Sequence, residues 1–151
     1  YSCLSYCWGE VKTRNAAILC DGYRFSVTHN LLMALQNVRK PTTNVLIWID
    51  QICINQDDLH ERGHQVSIMK QIFSHAKEVI VWLGEEDDRS KKLCEYAKKM
   101  RRGEDNSPKN VLRSILSARQ LQDAMQKLLQ RPWFSRVWVI PEVALAKFTV
   151  V

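Results

Sequence analysis

Residues 45–50, VLIWID, are five apolar residues closed by a carboxylate, and residues 79–84, VIVWLG, repeat the pattern with a glycine as the stop. Runs this short and continuous offer water no polar face, as expected of strands covered on both sides in a parallel sheet. Between them QICINQDD (51–58) reads as a loop. Residues 59–76 read as a helix with Val66, Met69, Ile72 and Phe73 as its apolar stripe. Strand, helix, strand sets the class: α/β, with a mainly parallel sheet.

Upstream, LSYCWG (4–9) is a short buried strand stopped by Gly9. In ILCDGYRFSV (18–27) the pair Asp21-Gly22 separates two β-prone runs and predicts a tight hairpin. Thr28 then caps a helix through LLMALQNVRK (31–40), with Leu31, Leu32 and Leu35 on one side and an end before Pro41. Downstream, a charged helical insert spans about 85–125, with RRGEDNSPKN (101–110) as an exposed loop and 111–130 as its second helix. PEVALAK (141–147) is a short helix with Pro141 suited to its first turn, and FTVV (148–151) is a strand. In such sheets ligands bind beyond the carboxyl ends of the strands. Those ends carry Trp8-Gly9, Asp50 with Asn55 and Gln56, and Gly84.

The 151 residues suit one domain, and 46% hydrophobic with 25% charged residues exclude disorder as the default. The chain opens without methionine and directly in a strand, which is expected of a domain within a longer protein. Its net charge of +6 mildly favours anionic partners such as nucleotides, nucleic acid or acidic lipid. Much of that excess sits in KKLCEYAKKMRR (91–102), read as a solvated helix face, and no basic stretch is interleaved with aromatics, so nucleic acid is disfavoured. Five scattered cysteines without a CxxC pair fit buried, reduced thiols in a cytoplasmic protein. No apolar run approaches the roughly 18 residues a membrane span needs.

HERGH (60–64) fits a zinc-protease pattern: His60 and His64 share one helix face, and Glu61 would activate the metal-bound water. The third ligand is missing. Ser67 and Lys70 stand where the extended pattern has glycine and histidine, and Gly63 weakens the helix that must hold the ligands. The segment reads better as the polar opening of a helix, and no metal is expected.

Three blocks are more specific: LSYCWG, then WIDQICINQDDLHERGHQVSIMKQIFSHAKEVIVWLG, then RPWFSRVWVIPEVALA. In order and content they resemble the heterokaryon-incompatibility (HET) domain, a family of fungal self/non-self recognition and cell-death proteins, across nearly the whole chain. In that family acids, Glu-Arg and Gln-Val follow CINQ, with permissive positions where the two histidines stand here. A more distant resemblance is to TIR domains, with a flavodoxin-like order of strands and helices. It rests on Ser5-Tyr6 ending the first strand, on Asp50, and on Glu142 four residues after Trp138. Many TIR domains cleave NAD⁺ at the nicotinamide–ribose bond with that glutamate. The resemblance therefore implies Glu142 as the catalytic residue, NAD⁺ as substrate, no cofactor, and self-association or contact with other cell-death signalling domains. A non-catalytic, self-associating module is the alternative it also implies.

Cleaving an N-glycosidic bond passes through an oxocarbenium-like ribose, which one well-placed carboxylate can stabilise. From the residues alone the readings divide, and Glu142 itself either works in catalysis or stabilises its helix end. Asp50 either holds a ribose hydroxyl or caps the loop after it, and Asn55 and Gln56 bind ligand or the loop's own backbone. Tyr6 and Trp8 stack on a ring or fill the core. Gly9 admits a phosphate or simply makes the turn. Arg136 pairs with a pyrophosphate or with Asp50 or Glu142, and Trp138 fills the core or lines the site wall. Where the HET family most often has glutamine before the glutamate, this chain has Pro141.

Overall fold

A computed structural model describes residues 1–9, 15–102 and 118–151. Strand β1 (Ser2–Tyr6) leads to a hairpin of β2 (Ala16–Cys20) and β3 (Tyr23–Val27), then to helix α1 (His29–Val38) and β4 (Ile47–Trp48). Helices α2 (Asp50–Cys53) and α3 (Leu59–His75) precede β5 (Glu78–Trp82). The described chain then passes through α4 (Asp88–Arg102), α5 (Ala118–Leu129), a 3-10 turn (Pro132–Ser135), α6 (Val139–Ala144) and β6 (Thr149–Val150). One sheet runs β4-β1-β5-β6 with all its pairs parallel; β2 and β3 pair antiparallel apart from it. Counted along the chain the sheet strands lie 2-1-3-4, the leading part of the flavodoxin-like order.

The hairpin turns at Asp21 (φ 50°) and Gly22 (φ 83°), the pair of positive φ angles a two-residue type I′ turn demands. Thr28 caps α1 as expected, its Oγ1 accepting from the Leu31 amide. Asp58 caps α3 by accepting from His60 and Glu61.

The pleat of β1 divides the core. Cys3 packs with Phe73, Val79, Val81, Trp133 and Val139, on the side of α3 and α6. Leu4 and Tyr6 pack with Val27, Leu31, Ala34 and Ile49, on the side of α1 and the hairpin.

Several expectations shift. β4 is two residues long and, among the described residues, has a neighbour only on its β1 side, and Leu46 is 76% exposed, so VLIWID is not a strand covered on both faces. Its carboxylate starts a helix: Asp50 opens α2, where its own Oδ1 accepts from the Gln51 amide at 2.7 Å. β5 alternates buried with half-buried positions, and β1 is buried at every residue. Of the α3 stripe only Phe73 is fully buried. Of the five cysteines, all free, Cys20, Cys53 and Cys94 are exposed, which corrects the expectation of buried thiols. Arg101 and Arg102 belong to α4; the rest of the expected loop at 103–110, and residues 111–117 of the expected second helix, lie outside the described residues. Among the described residues no helix is long and apolar enough to cross a membrane.

Candidate active site

At the carboxyl end of β1, Ser5 points to the α3 and α6 side, because it follows Cys3 by one pleat period. It is 1% exposed and held between two partners. Trp133 Nε1 donates to its Oγ at 2.9 Å, and its hydroxyl donates to Glu142 Oε2. Arg136 Nη2 lies 3.4 Å from the other oxygen, Glu142 Oε1, while its Nη1 donates to the Tyr6 carbonyl at 2.5 Å. The 3-10 turn and α6 bring these groups together. Trp133 lies in the turn, Arg136 follows it, and Glu142 sits in the first turn of α6, where the helix dipole favours a carboxylate.

Asp50 belongs to the same cluster. Its Oδ2 accepts from Trp8 Nε1 at 2.9 Å, and Gln56 Nε2 donates to its backbone carbonyl at 2.9 Å. Asn30 closes the strand exits, donating to the Cys7 carbonyl and accepting from Trp82 Nε1 at 2.9 Å.

Burial pushes the Glu142 carboxyl above its ordinary range. The Ser5 hydrogen bond and the Arg136 charge oppose the rise, and the charge of Asp50 adds to it. Burial raises Asp50 too, against hydrogen bonds from Trp8 and the Gln51 amide, the charge of Arg136 and the Tyr6 hydroxyl. Two largely buried carboxyl groups thus both feel the charge of Arg136, which pairs directly with Glu142. The Cys3 thiol beneath them is pushed up to about 12, mainly by burial, and is no nucleophile at neutral pH.

Beside the cluster, between α3 and α6, lies a cavity of about 330 Å³ whose wall includes Glu142, Trp138, Met69, Phe73, Lys70 and Pro141. Trp138 is half exposed at 51%. The proline at the position where the family most often has glutamine therefore faces this cavity. Gly9 (φ 77°) is exposed, and a Cβ there would meet nothing within 4 Å, so the turn requires it and close packing does not.

Of the residues expected here, Trp8, Asp50, Arg136, Trp138 and Glu142 converge. Tyr6 does not offer a stacking face: at 1% exposure it fills the core. Asn55 and Gln56 line a different cavity of about 340 Å³, together with Gln51, Phe25 and Glu61. Asn55 Oδ1 accepts from the Asp57 amide, and Glu61 Oε1 accepts from the Asn55 amide at 3.0 Å. Among the described residues no group of three or more His, Cys, Asp and Glu side chains gathers as a metal site. Sequence reading missed Ser5, Trp133 and Asn30 as site residues. The available signal was a hydroxyl in the interior of a strand buried throughout, which needs a partner.

The model of the family described as Heterokaryon incompatibility protein (HET) matches residues 1–142, a span that takes in Ser5, Asp50, Trp133, Arg136 and Glu142. The chain belongs to the HET family. This HET domain is similar to Heterokaryon incompatibility protein 6, OR allele, of Neurospora crassa, 29% identical over 190 aligned residues. The alignment takes in 99% of this chain and 28% of the relative, so the chain spans little more than a quarter of that protein's length. No solved structure matches this chain.

Proposed function

We propose that this HET domain acts in fungal heterokaryon incompatibility, within a programmed cell-death response, and that it does so by hydrolysing NAD⁺ at the nicotinamide–ribose bond. The observation that carries the catalytic part is Glu142, a buried carboxylate in the wall of an aromatic-edged cavity beside the carboxyl ends of parallel strands. In the reaction the C1′–N bond breaks and its electron pair leaves with nicotinamide, which thereby loses its positive charge and needs no general acid. Water bonds to C1′ and releases one proton. Glu142 stabilises the oxocarbenium-like ribose, and the excess of carboxylate over guanidinium around it favours the cationic ring. Trp138 offers an aromatic face at the rim, and Lys70 a cation for a phosphate. Glu142 is 3% exposed, so substrate reaches it when Arg136 leaves its carboxylate for an anionic group of the ligand.

Nicotinamide release from NAD⁺ by the purified protein tests the reading. Glu142→Ala is expected to abolish it, and turnover surviving that substitution overturns the assignment.

A second reading, a non-catalytic module that signals by self-association, is favoured by one feature. Val137 (78%), Trp138 (51%) and Ile140 (70%) are exposed within four consecutive residues at the start of α6, more apolar surface than a single scattered residue presents. A protein that oligomerises yet never cleaves NAD⁺ at any concentration would establish it.

A further inference from the structure

We infer that Ser5 is the positioning residue for Glu142, and that Trp133 commits the Ser5 hydroxyl proton to that carboxylate. The inference rests on the reading of Glu142 as the working carboxylate; its geometry stands apart from the identity of the substrate. An indole N–H can only donate, so at 2.9 Å the Trp133 Nε1–H occupies a lone pair of Ser5 Oγ. The one proton on Oγ then points along the contact to Glu142 Oε2. If Glu142 were protonated on Oε2, its own O–H would have to donate to Ser5, and the serine proton would need another acceptor. At 1% exposure, and with no third polar partner for Oγ among the described residues, that proton would be stranded. A proton on Oε1 instead would face the Arg136 guanidinium, itself only a donor. Ser5 and Trp133 thus favour the ionised carboxylate with its oxygens oriented, against the burial that raises its pKa.

The charged and titratable groups facing Glu142 come from four elements. Arg136, ahead of α6, meets Oε1; Asp50 of α2 opposes ionisation; Lys70 of α3 stands in the same cavity wall; the Cys3 thiol of β1 stays neutral. Of these, only Arg136 also touches the carboxylate, and it does so at the longer distance of 3.4 Å on the other oxygen. Ser5 is thus the group that fixes Oε2.

The test is a carboxyl titration of the protein labelled at glutamate Cδ, with Ser5→Ala, Ser5→Thr and Trp133→Phe beside the unsubstituted chain. Ser5→Ala is expected to raise the Glu142 midpoint by about one to two pH units, the size of a hydrogen bond to a charged group. Trp133→Phe raises it by less, and Ser5→Thr restores it. The acid limb of NAD⁺ cleavage moves with the midpoint, through kcat and with little change in KM. In the unsubstituted protein the Trp133 indole N–H resonance titrates with the Glu142 midpoint, a reading that needs no variant to fold. An indole resonance indifferent to Glu142, or midpoints unmoved in folded Ser5→Ala and Trp133→Phe, overturns the inference. Absence of NAD⁺ cleavage in the unsubstituted protein defeats the proposed reaction and leaves the titration free to decide the role of Ser5.

Discussion

Glu61 and Glu142 both occupy the first turn of a helix, yet one serves its own loop and the other joins distant parts of the chain. Glu61 accepts from the amide of Asn55, six residues away, in a segment where Asp58 and Asn55 also accept from nearby backbone amides. Glu142 is bound by Ser5, 137 residues away, and by Arg136, and behind Ser5 stands Trp133. Helix position alone thus says little about a carboxylate's role. What matters is whether other elements supply its hydrogen-bond partners and remove its water.

The largest expected difference follows from removing the shared cation. Arg136→Met leaves Glu142 and Asp50 largely buried without it and is expected to cost about 3 kcal/mol in a urea titration. Glu61→Gln is expected to cost less than about 1 kcal/mol, since it loses one exposed loop bond. Equal costs would break the contrast.

Trp133→Phe keeps an aromatic ring in the core and removes one buried donor, so about 1–2 kcal/mol is expected, read from the same titration.

The pH dependence sharpens the contrast further. The folded-state carboxyl of Glu142 titrates above its unfolded value, so its favourable contribution is fully present below the unfolded pKa and is lost as pH rises through the raised value. Glu142→Gln removes that dependence. Its stability relative to the unsubstituted protein should therefore climb as pH rises through this window, measured by melts across the acid-to-neutral range. A flat difference would mean that Glu142 is as well solvated as a surface acid.

The smallest effect belongs to the Glu61 side. Gly63 lies inside α3, where an added Cβ would meet nothing within 4 Å, and Gly63→Ala should stabilise by about 0.5–1 kcal/mol. A loss of stability there would show that the HERGH segment is held by tertiary contacts after all.

Local chemistry was legible from the chain. Asp21-Gly22 specified the hairpin, Thr28 started α1, and Gly84 (φ 104°) stands just beyond β5 as the apolar run predicted. The alternation of apolar strands with a helix gave the α/β class, because these signals act between residues close in sequence. Strand coverage was less legible. VLIWID and VIVWLG look alike as strings, yet β4 lies at a sheet edge and β5 between two neighbours, and neighbours are a property of topology.

For the site, the family resemblance pointed to Glu142, while position at the strand ends marked Trp8 and Asp50 and charge marked Arg136 as candidate partners, each with a structural alternative. Only the tertiary structure turned Asn55 and Gln56 toward a different cavity, with Gln56 bonded to the Asp50 backbone, sent Tyr6 into the core, and set Ser5 between Trp133 and Glu142. The reason is physical: a hydrogen bond across 128 or 137 residues leaves no local pattern in the chain. Which side of β1 receives α6 is decided by packing, and the pleat then selects Ser5 rather than Tyr6 as the partner of the glutamate.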